Sequence, residues 1–174
     1  MKSIQLVVVL ACLSMGACHS TPSRETQGVQ VWHWQFQGTG EKGEPVRASG
    51  TLQTTKTPDA HGWYTVQRIK GSRNGIEITG LFQAGKAVPG NIDPSTHRPY
   101  EGDNRLRRSG TIGGPQLDQH GIQFALEDGS YSNVFYASFL EPPTYLDFHS
   151  KPPYPVGDVG PNNERPVQFT AEQQ

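Results

Sequence analysis

Cysteine is almost missing from this 174-residue chain: Cys12 and Cys18 are the only two, and both stand within the first eighteen residues. Whatever folds downstream has no disulfide staple, no thiolate zinc site and no cysteine nucleophile. An excess of one charge sign is missing too. Fifteen Lys and Arg stand against sixteen Asp and Glu, a formal net charge of −1, so no long-range field gathers nucleic acid, which counts against a nucleic-acid partner. No segment offers three turns of helical periodicity with caps, and 20 glycines and 14 prolines favour short strands joined by turns. Catalytic signatures are absent as well. There is no G-x-S-x-G, and the Gly-Thr-Ile-Gly-Gly run at 110–114 lacks the lysine and following helix of a P-loop. Six histidines (His19, His33, His61, His97, His120, His149) show neither H-x-H nor H-x-x-x-H spacing, so no metal or other cofactor is expected.

What is present begins at the front. Lys2 supplies a positive start, and an uncharged apolar run from Ile4 to Ala17 is too short to span a bilayer comfortably. It closes in Leu13-Ser14-Met15-Gly16-Ala17-Cys18, which resembles the lipobox of bacterial lipoproteins. Gly16 and Ala17 fill the small positions and Cys18 the modified one, while Met15 stands where Leu is usual. The resemblance implies cleavage before Cys18, acylation of its sulfur and attachment to a membrane; His19, which is not Asp, implies outer-membrane sorting in a Gram-negative cell, facing the periplasm. Each buried methylene contributes about 0.8 kcal/mol, so several acyl chains anchor a protein that has no spanning helix. If the lipobox is not used, the product is secreted or periplasmic. Residues 1–17 are then the signal peptide, and residues 18–28, polar and aperiodic, a flexible tether. Lys2 is the only charge removed, so the mature 157 residues carry 14 basic and 16 acidic side chains, a net of −2.

The β domain is expected over 29–140. Residues 29–37 alternate Val-Gln-Val-Trp-His-Trp-Gln-Phe-Gln, placing Trp32, Trp34 and Phe36 on one strand face. A more polar strand follows at 46–55. The Asn-Gly pair Asn74-Gly75 links 63–69 to 76–82 as a hairpin, and Asp128-Gly129 turns a second one, 121–126 with 131–137. Six to eight such strands need a small antiparallel β-barrel or a β-sandwich to bury their faces and edges. Between the hairpins lies a long polar loop, 84–120. Residues 141–174, which hold seven of the fourteen prolines, read as a Pro-rich extended tail, wrapped or partly ordered. The turn chemistry of Gly71-Ser72-Arg73-Asn74-Gly75 through Gly121-Ile122-Gln123-Phe124 and Asn133-Val134 is also similar to exported bacterial proteins of unknown function, some with PEP-CTERM tails; this chain has no apolar C-terminal sorting segment.

The residues thus point to a non-enzymatic, membrane-anchored envelope lipoprotein that binds a protein partner, of inhibitor or immunity type. Arg98, Tyr100, Arg105, Arg107 and Arg108 are the candidate partner-binding set, because guanidinium forks pair bidentately with carboxylates and tyrosine adds rigid contact area. The competing reading for that loop is a solvated segment with internal ion pairs to Asp93, Glu101 and Asp103. Two alternatives stay open. A carbohydrate binder or hydrolase would use Trp32, Trp34 and Phe36 as a stacking surface, with Glu77, Glu127 or Asp128 as acids; the competing reading for the triplet is core packing. A structural or assembly subunit would dock through its tail.

Overall fold

The computed structural model describes residues 28–93, 95–110, 114–154 and 163–174. Cys18, the signal segment and all of the tether but Gly28 lie outside the described residues. Among the described residues nine strands follow in order: β1 (Val29–Thr39), β2 (Pro45–Thr55), β3 (Tyr64–Arg73), β4 (Ile76–Leu81), β5 (Arg105–Leu106), β6 (Ile122–Leu126), β7 (Tyr131–Ala137), β8 (Thr144–Ser150) and β9 (Glu164–Gln173). Every pairing is antiparallel. The order β2-β1-β9-β8-β7-β6-β4-β3 returns to β2, so eight strands close a barrel and the two-residue β5 is an extra strand on the start of β3. The all-β, antiparallel expectation holds, and of its two architectures the chain adopts the barrel.

Alternation fills the lumen. Trp32, Trp34 and Phe36 are 1%, 3% and 1% exposed, with Trp34 5.8 Å from Phe124 and Trp32 5.4 Å from Tyr64 between ring centroids. They are not a stacking surface, and the carbohydrate reading loses its platform. Their hydrophobic gain, about 1.5–3 kcal/mol for a large apolar side chain, is realised inside the barrel. The Trp32 indole N–H donates to the Thr54 hydroxyl at 2.9 Å, satisfying its polar edge. On the outside of the same strands stand the exposed side chains Gln35, Gln37, Arg47, Arg68 and Lys70, a wall suited to water rather than hydrocarbon. Where β2 meets β3 the backbones approach closely at Gly50 and Gly71. Gly71 has φ 139° and the Ser49 carbonyl occupies the place of a Cβ, so no other residue fits without displacing the strand.

Two features depart from the sequence reading. The segment 141–174 is not a wrapped tail. It supplies β8 and β9, and β9 pairs with β1 from Gly38↔Val167 to Trp32↔Gln173, completing the barrel. Pro142, Pro143, Pro152 and Pro153 sit in the connections rather than the ladders, and Pro166 lies one residue beyond the last β1 pair. The wall formed by β7 and β8 is also buried on both faces. Outside it, Phe135, Ala137, Leu146 and Phe148 form a second apolar cluster with Val88 from the long loop. The loop is therefore a cover as well as a connection.

Candidate functional site

The long loop is pinned to the barrel by amide side chains. Asn104, at φ 55°, donates through Nδ2 to the Phe82 carbonyl (2.8 Å) and accepts the Gln123 N–H (2.8 Å), while its backbone receives the Val66 N–H and donates to the Gly121 carbonyl. Asparagine suits both demands, since it tolerates the left-handed conformation and carries a donor and an acceptor. Gln123, fully buried on β6, binds the incoming loop at the Val88 N–H and the Lys86 carbonyl. Gln116 grips both backbone groups of Ala171, at 2.7 and 2.9 Å, where the β8–β9 ladder has already ended at Tyr145↔Val167. Leu106 and Leu117, both 0% exposed, seal that end of the lumen.

These anchors divide the arginine set. Arg105 lies 3.8 Å from Asp59 and 3.4 Å from Asp103. Arg107 stacks 4.7 Å over Trp63 and donates through Nε to the Pro115 carbonyl, and Arg108 sits 5.9 Å from the Tyr64 ring centroid and bonds Gln173. All three belong to the barrel end where β1 begins. Arg98 and Tyr100 lie elsewhere and line a half-open cleft of about 910 Å³. The four arginines therefore do not converge on one partner; three hold loop and barrel together, and Arg105 makes the ion pairs expected of the solvated reading.

The cleft is walled by loop residues 91–93, Ser95 and residues 98–101, by Gln119 and His120, by Phe139 and Leu140 of the β7–β8 connection, and by Glu164 of β9. Tyr100 packs against Phe135 at 5.7 Å. Its phenol is pushed up to about 12, first by burial and then by the charges of Glu164, Asp93 and Asp118, so it stays protonated. Burial also raises the Glu164 carboxyl. Asp93 is held below the usual range by the Ser95 hydroxyl first, then by the backbone N–H groups of Ser95 and Thr96, so it remains anionic. Beside the cleft, Asp103 is pushed up to about 6, by burial and then by Asp118, with Arg105 and His120 pulling the other way. Two further features mark the place. Phe139 is 59% exposed, and the side-chain amide nitrogen of Asn91, a residue 5% exposed, has no hydrogen-bond partner. A second depression of about 840 Å³ opens at Gln37, Arg47 and Gln168 on the outer wall, without an orphaned polar group or an exposed aromatic.

Sequence reasoning reached Arg98 and Tyr100 but missed Asn91, Phe139 and Glu164. Phe139 carried a signal, an aromatic in a turn before two prolines; Glu164 carried none, because its place depends on β9. Of the hydrolase acids, Glu77 and Glu127 are neighbours, the Glu127 N–H donating to the Glu77 carbonyl at 2.9 Å, but both are exposed beside a hairpin turn and line neither depression. Glu77 is an exposed residue of β4, and Asp128 spends its carboxylate on the Ser130 N–H and hydroxyl inside a hairpin turn. The hydroxyls of Ser95, Ser130 and Ser132 each donate to an aspartate rather than to a histidine. Among the described residues no group of three or more His, Cys, Asp or Glu is placed to hold a metal ion. No family model matches the chain, and neither does a curated protein or a solved structure.

Proposed function

We propose that this protein is a lipid-anchored envelope lipoprotein whose barrel binds a protein partner at the Tyr100 cleft and catalyses no reaction. The observation that carries the reading is the cleft itself. An exposed aromatic, Phe139, stands beside a buried amide donor with no partner, and a protein surface supplies what both lack. Anchoring rests on the lipobox resemblance at Cys18, and an inhibitor or immunity role accords with a rigid, filled barrel that offers recognition outside rather than a substrate cavity inside.

The test is capture from envelope extract with the full chain. Wild-type protein should retain a specific partner, and Phe139→Asp should lose it while unfolding at the wild-type temperature, because that side chain faces solvent. Undiminished capture by the Phe139 variant would remove the cleft from the argument. Cys18→Ala should move the protein out of the membrane fraction; a lipidated form that persists would refute the anchor. The assembly-subunit reading loses its docking arm, since deleting 141–174 removes two barrel strands.

A further inference from the structure

Resting on the protein-binding reading, the question is what the cleft selects. Carboxylates outnumber guanidinium groups in it: Asp93, Glu101 and Glu164 stand against Arg98. The charges are unequally placed. Arg98 is exposed at the mouth, whereas Glu164 is half-buried on β9, where water solvates it poorly and a cation arriving from outside would meet a carboxylate already stripped of part of its hydration. Tyr100 reports the same field, since Glu164, Asp93 and Asp118 all act on its hydroxyl in the same direction. Asn91 adds a different demand. Its amide nitrogen is buried and unpartnered while the residue lines the cleft, so the missing group is an acceptor, such as a carbonyl oxygen. Ile92, Phe139 and Leu140 contribute apolar surface at the edges.

We infer that the cleft receives an extended basic segment of a partner protein, with a lysine or arginine side chain at Glu164, a backbone carbonyl at Asn91 and an apolar residue against Phe139. A peptide carries all three groups within a few residues. A diamine lacks the acceptor and the apolar side chain, and an acidic segment would meet the carboxylates. Charge complementarity selects the occupant, and the buried donor fixes its register.

The experiment pans the full chain, held in detergent micelles, against a displayed library of random dodecapeptides. Selected peptides are then titrated calorimetrically against wild type, Glu164→Gln, Phe139→Ala and the control Glu127→Gln, which alters an exposed hairpin turn. Enriched sequences should combine Lys or Arg with a neighbouring apolar residue, bind at least tenfold more weakly to Glu164→Gln and to Phe139→Ala, and be indifferent to Glu127→Gln. Glu164→Gln should unfold at or above the wild-type temperature at neutral pH, because it is nearly isosteric and removes a poorly hydrated charge. Acidic or neutral selected peptides, or basic ones insensitive to Glu164→Gln, would overturn the proposed guest while leaving a protein-binding cleft standing. If no peptide is enriched and cadaverine binds in a Glu164-dependent way, the cleft is a small-cation site and both readings fail together.

Discussion

Asp147 stands inside a barrel lined mostly by aromatic and aliphatic side chains, and it is 0% exposed. It accepts from Arg73 through Nε at 3.0 Å and Nη2 at 2.7 Å, and from the Ser132 hydroxyl. Because Arg73 is itself buried, removing only the carboxylate strands a guanidinium in the lumen. Asp147→Ala should lower stability by about 3–5 kcal/mol, while the paired change Arg73→Met with Asp147→Leu should recover most of that. Urea unfolding of the two variants decides it, and equal losses would mean the pair adds nothing as a pair. Asp103 makes a separate prediction. An acid whose pKa is raised by folding binds more protons in the folded chain than in the unfolded one. Its contribution is complete below the ordinary carboxylate value near 4 and is lost as pH rises through about 6. Asp103→Asn should match wild-type Tm at pH 4 and exceed it at pH 7, the gap opening between those values. Comparing the two chains cancels Glu164, whose rise has the same sign, and His149, whose pKa is lowered chiefly by burial and whose effect runs oppositely. A gap that does not change with pH would reject Asp103 as the source.

Gln116 shows how one side chain stands in for an element. Where β8 stops, its carboxamide takes the N–H and the carbonyl of Ala171, and its own N–H donates to the Tyr145 hydroxyl at 2.8 Å. Gln116→Leu leaves two buried backbone groups unpaired and should cost about 2–3 kcal/mol. Amide exchange at Ala171 should accelerate in the variant, and protection equal to wild type would show that the ladder closes without the glutamine. No sequence pattern announces such a role, whereas β1 to β4 and the β6–β7 hairpin were legible because alternation and Asn-Gly or Asp-Gly turns are local signals. β8 and β9 were hidden for physical reasons. Prolines dominate the composition of 141–174, although among the described residues only Pro166 enters a ladder. The inward Asp147 places a charge where alternation expects an apolar residue, and its partner Arg73 is 74 residues away in the chain. The Trp32, Trp34 and Phe36 face was legible as a strand face, but the sequence left open whether it packed or bound. The cleft was half legible, since Tyr100 and Arg98 lie in one polar segment while Glu164 arrives only once the barrel closes.

At the scale of the molecule, the end of the barrel where the chain enters differs from its other end. Val29 pairs with Thr55, Tyr64 with Leu106 and Trp32 with Gln173, so the β2–β3 connection, β5 and the close of β9 gather at the start of β1. Lys56, Trp63, Arg105, Arg107 and Arg108 sit at that end, with Asp59 and Asp103 as the acids paired to Arg105. If Cys18 is acylated, the anchor stands only ten residues before Gly28 in the sequence, which keeps this end of the barrel turned to the bilayer. Cations there are attracted to anionic headgroups, and the attraction fades beyond a Debye length of about 10 Å. Trp63, stacked under Arg107, is then the tryptophan nearest the lipid, whereas Trp32 and Trp34 are enclosed in the lumen. Reconstituted in vesicles with headgroup spin-labelled lipid, the full chain should lose part of its tryptophan fluorescence. Trp63→Phe should abolish that quenching, and Cys18→Ala should prevent it. Quenching should also weaken as salt is raised or when Arg107 and Arg108 are both changed to Gln. Loss of fluorescence that persists in Trp63→Phe would mean the barrel presents another face to the membrane.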